Sequence, residues 1–166
     1  MSLKLTVLAS IIGLQAGSND LSTPHNDISI NERLALVNGV AAGEADLIWS
    51  DTRTLAASAS ENLDLAGALV DAFGATLTFV KVKAILIKAH AANTNAVQVG
   101  GAASNGFFAM FGASTDRLSL PPGAMSLIAN DGGYAVVAST GDLLKIANGG
   151  AGTGVTYDIV IVGTSA

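Results

Sequence analysis

A period of two runs through the most regular stretches of the sequence. It constrains the fold more than any other feature. Leu3, Leu5, Val7, Ala9 and Ile11 alternate with Lys4, Thr6, Leu8 and Ser10. Val80, Val82, Ala84 and Leu86 alternate with Lys81, Lys83, Ile85 and Ile87. Val155, Tyr157, Ile159 and Ile161 alternate with Thr156, Asp158, Val160 and Val162. Alternation of this kind sends one residue set to each face of a strand. In the last two segments the second face is also partly apolar, so these strands are expected to be covered on both sides or to face a partner.

Turn signals separate the runs at short intervals. They include Ala92-Asn93-Thr94-Asn95, Gly100-Gly101, Ser104-Asn105-Gly106, Pro121-Pro122-Gly123, Asn130-Asp131-Gly132-Gly133, Thr140-Gly141-Asp142 and Asn148-Gly149-Gly150. Gly and Asn supply positive φ, and Pro fixes the first turn position. From Thr76 onward the pattern predicts strands at 76–90, 95–99, 107–111, 117–120, 124–129, 134–138, 142–147 and 155–163. Short strands at this spacing predict an all-β fold, an antiparallel β-sandwich. Eight of them make it jelly-roll-like.

The first 75 residues read differently. Strand patterns recur at 3–12 and 28–37, with a polar, turn-rich stretch from Gly17 to Asp27 between them. Six acids (Glu44, Asp46, Asp51, Glu61, Asp64 and Asp71) fall between 41 and 75 against one base, Arg53. Leu63 to Phe73 suits a turn or two of helix, with Leu65, Leu69, Val70 and Phe73 on one face. The expected organisation is an N-terminal β arm or subdomain over 1–45 and a sandwich over 46–166. The arm would dock on the sandwich or on a neighbour.

Half of the 166 residues are apolar, 13% are charged, and Cys is absent. A typical globular domain is about 25% charged. So apolar a chain is not disordered, and it has neither a disulfide framework nor a thiolate zinc site. A net charge of −5 with eight Lys and Arg argues against nucleic acid as a partner. Membrane insertion is the obvious home for the apolar excess, but a spanning helix needs about 20 mostly apolar residues. Leu5–Asp20 is broken by polar residues and glycines, and Leu65–Val80 by Asp71. The first 17 residues imitate a signal peptide, but a single Lys is a weak charged flank.

The search for chemistry leaves little. His25 and His90 are the two histidines, and an imidazole metal site usually needs two or three with carboxylate help. His25 reads as a solvated turn and His90 as a strand-end surface residue. Gly149–Gly154 imitates a phosphate loop but leads into a strand, where a dinucleotide loop must open a helix. It reads instead as a flexible hairpin loop. Ala102–Gly106 imitates a nucleophile elbow around Ser104, yet no His follows and the flanks are β. The acids of 41–75 could supply a glycosidase pair, but acids in a loop-rich arm are usually solvated. No calcium loop of the Asp-x-Asp-x-Asn type is present. Lys81, Lys83 and Lys88 read as a solvated face or edge, or as a match for the acidic arm of a neighbour. No catalytic residue, cofactor or metal ligand is expected.

A resemblance joins this reading. The residues that carry it are Asp51-Thr52-Arg53-Thr54-Leu55-Ala56, Leu63-Asp64-Leu65-Ala66-Gly67, Asp71-Ala72-Phe73-Gly74 and Thr78-Phe79-Val80-Lys81-Val82-Lys83. With them go Val97-Gln98-Val99-Gly100-Gly101, Pro121-Pro122-Gly123, Asp142-Leu143-Leu144-Lys145-Ile146-Ala147-Asn148 and Tyr157-Asp158-Ile159-Val160-Ile161-Val162-Gly163-Thr164. Over about residues 46–166 the chain resembles small virion structural proteins of tailed bacteriophages. The resemblance implies a β-sandwich that assembles on a virion, as a homotrimer. Capsid decoration (cement) proteins, head fibres and tail-tip modules share such domains. The expected function is capsid decoration: an oligomer, made in the host cytoplasm, that binds the major capsid protein on the head and locks its junctions. The alternative is a head- or tail-fibre module that binds a host receptor, and an enzyme is the reading least favoured. Expected contact residues are Leu3, Leu5, Val7, Ile11 and Ile12 of the arm, with Trp49 and Arg53. Trp and Arg are enriched at interface hot spots, although Trp49 suits a core equally well.

Overall fold

The computed structural model describes residues 3–166, and they are all-β and antiparallel, with no helix among them. Strand β1 (Leu5–Ala16) and β2 (His25–Leu36) form a long hairpin. Then follow β3 (Leu47–Leu55), β4 (Ser60–Asp64), β5 (Leu69–Val70) and β6 (Thr76–Leu77). The remainder are β7 (Lys81–Ala89), β8 (Val97–Gly100), β9 (Arg117–Leu120), β10 (Met125–Ala135), β11 (Leu143–Asn148) and β12 (Val155–Thr164). Two four-stranded sheets form, in the orders β10-β7-β12-β3 and β4-β11-β8-β9, beside the small β5-β6 pair.

The two sheets share one core, which makes the body a sandwich. Strand β12 shows how the alternation works. Tyr157, Ile159 and Ile161 point inward and are at most 1% exposed, while Asp158 and Val160 point outward. From the facing sheet, Leu63, Val97, Val99, Leu120, Leu144 and Ile146 close on them. A second, smaller cluster lies on the outer face of the β12 sheet. There Ala84 and Val162 meet Leu36 and Ala45, with Leu3, Leu5, Val7 and Leu34 packed alongside. The base of the hairpin thus covers part of that outer face. The boundary expected between 45 and 46 falls in the connection from β2 to β3.

Several local expectations need correction. Leu63–Phe73 holds no helix: Leu63 and Leu65 are alternate buried residues around the end of β4, and Leu69 belongs to β5. Asp64 accepts from Ala66 N–H, and Asp71 accepts from Phe73 and Ala75 N–H, so both carboxylates stabilise turns. The run 107–111 is not a strand. Phe107 is buried, and the residues after it turn, with Phe111 N–H donating to Phe108 C=O. The expected strands 124–129 and 134–138 are largely one strand, β10, interrupted by a bulge between Ala129 and Tyr134. Gly133 makes that bulge possible: its φ is +78°, and a Cβ there would lie 3.0 Å from the Lys81 Cβ.

Lys83 sits opposite this bulge and is 1% exposed, on an interior strand, so it is neither a solvated face nor an edge. Its ammonium donates to the carbonyls of Asp131 and Ala41 and ties the bulge to the β2–β3 connection. The Gly149–Gly154 loop leads into a strand, as expected, but it is not a hairpin. It crosses between the sheets and is stitched by two asparagines. Asn95 donates to Asn148 Oδ1, Ala151 O and Thr153 O, while Asn148 donates to Ala56 O and Thr153 O.

Candidate interaction surface

Each hairpin strand has 12 residues, about 40 Å of extended chain and twice the usual strand length. Opposite residues in an antiparallel pair share a face. One face therefore carries Leu5, Leu34, Leu36 and Val7 at the base, then Ile11 opposite Ile30 and Gly13 opposite Ile28. The other carries Leu8 opposite Arg33, Ile12 opposite Ser29 and Leu14 opposite Asp27. Only the base is covered. From Leu8 onward every β1 residue is exposed, and so is β2 from His25 to Arg33. Ile11 is 69% exposed and Ile12 74%, on opposite faces.

The tip is ordered by its own chemistry. Asn19 Oδ1 accepts from Leu21 and Ser22 N–H, and Gly17 N–H donates to Pro24 C=O. Mid-arm, Ser10 donates to Asn31 Oδ1. An isolated two-stranded hairpin is marginal in water. Nothing in the described chain covers the distal arm on either face.

Charge is distributed unevenly between the arm's strands. β2 holds His25, Asp27, Glu32 and Arg33, and β1 holds no ionisable residue. β1 pairs only with β2, so its other edge is open. At its base that edge borders an apolar groove of about 360 Å³ whose floor is the outer face of the β12 sheet. Leu5, Val7, Leu86, Met125, Leu127 and Val160 line it, and none of its lining residues is ionisable. Met125 is 72% exposed. Leu86, Met125 and Leu127 were not among the expected contact residues. Their signal in the sequence was the apolar residue on both faces of neighbouring strands.

The expected contact residues thus separate into groups. Leu3, Leu5 and Val7 pack on the chain's own sheet, and Ile11 and Ile12 project beyond it. Trp49 lies in the sandwich core, 6% exposed, opposite Ile161, so it is a core residue of this chain and not a surface contact. Arg53 stands on edge strand β3 and is held within the chain. Its Nη1 lies 3.0 Å from Asp51, and its Nε and Nη2 lie 2.7 and 2.5 Å from Glu61 Oε2. Tyr157 OH donates to the other Glu61 oxygen at 2.8 Å. The Glu61 contact holds Arg53 firmly protonated. Burial first, then the bond to Glu61, pushes the Tyr157 phenol far above its usual range.

Elsewhere the ionisable groups serve the fold. His90 and Asp158 meet at 3.0 Å, and this bond, then one from Thr52, lowers the Asp158 carboxyl. Glu44 accepts from Ala41 N–H, and Asp46 accepts from Ser165 N–H. The acids of 41–75 are therefore mostly turn-makers and ion-pair partners. Among the described residues no group of three His, Cys, Asp or Glu is placed to hold a metal ion. No helix is long and apolar enough to cross a membrane among those residues. No protein-family model, curated protein or solved structure matches the chain.

Proposed function

We propose that this chain is a structural virion protein: a capsid decoration (cement) protein that binds a phage head as an oligomer and stabilises contacts between major capsid proteins. The observation that carries the reading is the arm. It is a long hairpin, uncharged along β1, and apolar side chains stand exposed on both faces. Large exposed apolar patches mark interaction sites on soluble chains. The strand order supports the sandwich half of the reading. β3, β7, β10 and β12 share one sheet and β4, β8, β9 and β11 the other, and we read this order as a jelly roll built of two Greek keys. Repetition over a lattice would make modest single contacts sufficient through avidity.

A second reading, a fibre or tail-tip module that binds a host receptor, draws support from two loop aromatics. Phe73 is 78% exposed and Phe108 45%. Copy number separates the two readings. Quantitative gel analysis of particles carrying the chain should give hundreds of copies for decoration. A dozen or fewer would overturn it in favour of the fibre module. Ile11→Asp with Ile12→Asp should remove the protein from the particle while the sandwich stays folded.

A further inference from the structure

The groove beside β1 has the shape and chemistry of a strand site. Its wall is an open β edge whose N–H and C=O groups lack partners, and its floor is apolar. A segment laid there would extend the arm as a third strand and bury alternate side chains on Leu86 and Leu127. This is strand addition, in which main-chain hydrogen bonds give affinity and side-chain pockets give register. The other edges of the two four-stranded sheets are guarded: β3 carries Asp51 and Arg53, β4 carries Glu61 and Asp64, β9 is only four residues long and starts with Arg117, and β10 is broken by the bulge that holds Asp131. Inward or edge charges and short edges are the usual ways of blocking unwanted pairing. β1 has no such guard.

The chain also carries a segment that fits the groove. Ser10–Ala16 contains no charge, as the groove contains none, and it presents Ile11 on one face and Ile12 and Leu14 on the other. It cannot fill the groove of its own copy, because it is the continuation of the strand that forms the wall. We propose that the distal half of β1 of one copy docks in this groove of a second copy, against the open edge of the recipient's β1. The proposal rests on the reading of the arm as an assembly element.

Every arm and every groove is filled in a closed assembly of this kind.

The chain has no Cys, so two introduced thiols report the contact cleanly. Ile12→Cys and Met125→Cys chains, differently tagged, are co-expressed, purified through both tags and mildly oxidised. Unchanged Trp49 emission checks that the sandwich is folded. The expected result is a mixed disulfide between residues 12 and 125 linking most of the captured chains. Three results would overturn the proposal: no co-purification, co-purification without that disulfide, or disulfides only between two copies of position 12. A positive result without hundreds of copies on particles leaves arm exchange standing and removes capsid decoration. Many copies without the disulfide do the reverse.

Discussion

Strands β12 and β1 draw on the same kinds of residue and meet opposite fates. β12 is flanked by β7 and β3, and its Tyr157, Ile159 and Ile161 are at most 1% exposed. β1 has one neighbour, and its Ile11 and Ile12 are 69% and 74% exposed. The sandwich also guards its edge strands, with charge on β3 and β4, short length in β9 and a bulge in β10. On β3, Asp51 and Arg53 occupy the inward-facing register of Trp49 and Leu55, and Arg53 pairs with both Asp51 and Glu61. On β1 the unpaired edge carries no charge at all. The sandwich core is closed within one chain, while the distal arm leaves apolar side chains exposed on both faces.

This contrast predicts a graded set of responses. Trp49→Ala should cost about 3–5 kcal/mol, because it removes a large buried ring and leaves a cavity. Chemical denaturation followed by circular dichroism measures it. A loss below about 1 kcal/mol would mean the core does not depend on the β3 edge. Lys83→Ala should cost about 2 kcal/mol, since its charged hydrogen bonds to two carbonyls disappear together. The same measurement applies, and loosening should show first as faster amide exchange in residues 129–134.

Tyr157 gives a pH response. Its phenol pKa is raised by burial in the folded chain. The stabilisation is therefore fully present below the ordinary phenol value of 10.0 and is lost as pH rises beyond it. Absorbance titration should show Tyr157 ionising only as the sandwich unfolds, and Tyr157→Phe should remove that component while costing about 1 kcal/mol. The smallest expected effect lies on the open surface. The Asp158 carboxyl is lowered mainly by His90, so what it stabilises is present above the ordinary carboxylate range and fades as pH falls through the lowered value. His90→Gln should move the Asp158 titration, followed by NMR, back toward that range with little change in stability.

The sequence revealed the sandwich best where alternation was unbroken. β12 stands within a residue of its expected bounds, while the run expected as one strand over 76–90 divides into β6 and β7. β3 escaped notice because Asp51 and Arg53 interrupt its inward register, and an ion pair with Glu61 on the facing sheet is invisible in one dimension. β4 was hidden by the acids of Ser60–Asp64. Lys83 misled for the converse reason: a bulge and the β2–β3 connection cover a lysine and bind its ammonium, and the period of two cannot foresee a bulge. The apolar run 107–111 has strand composition but closes one end of the core as a turn. For the arm, both strands were legible from their alternation. The groove was not, since it exists only where the hairpin crosses Leu86, Met125 and Leu127.

The most direct test is the mass of the full chain in dilute solution, by native mass spectrometry with light scattering, beside the Ile11→Asp, Ile12→Asp double variant. The arm as an unsatisfied surface predicts a discrete oligomer for the unaltered chain and a folded monomer, with unchanged Trp49 emission, for the variant. A monodisperse, soluble monomer of the unaltered chain would contradict it.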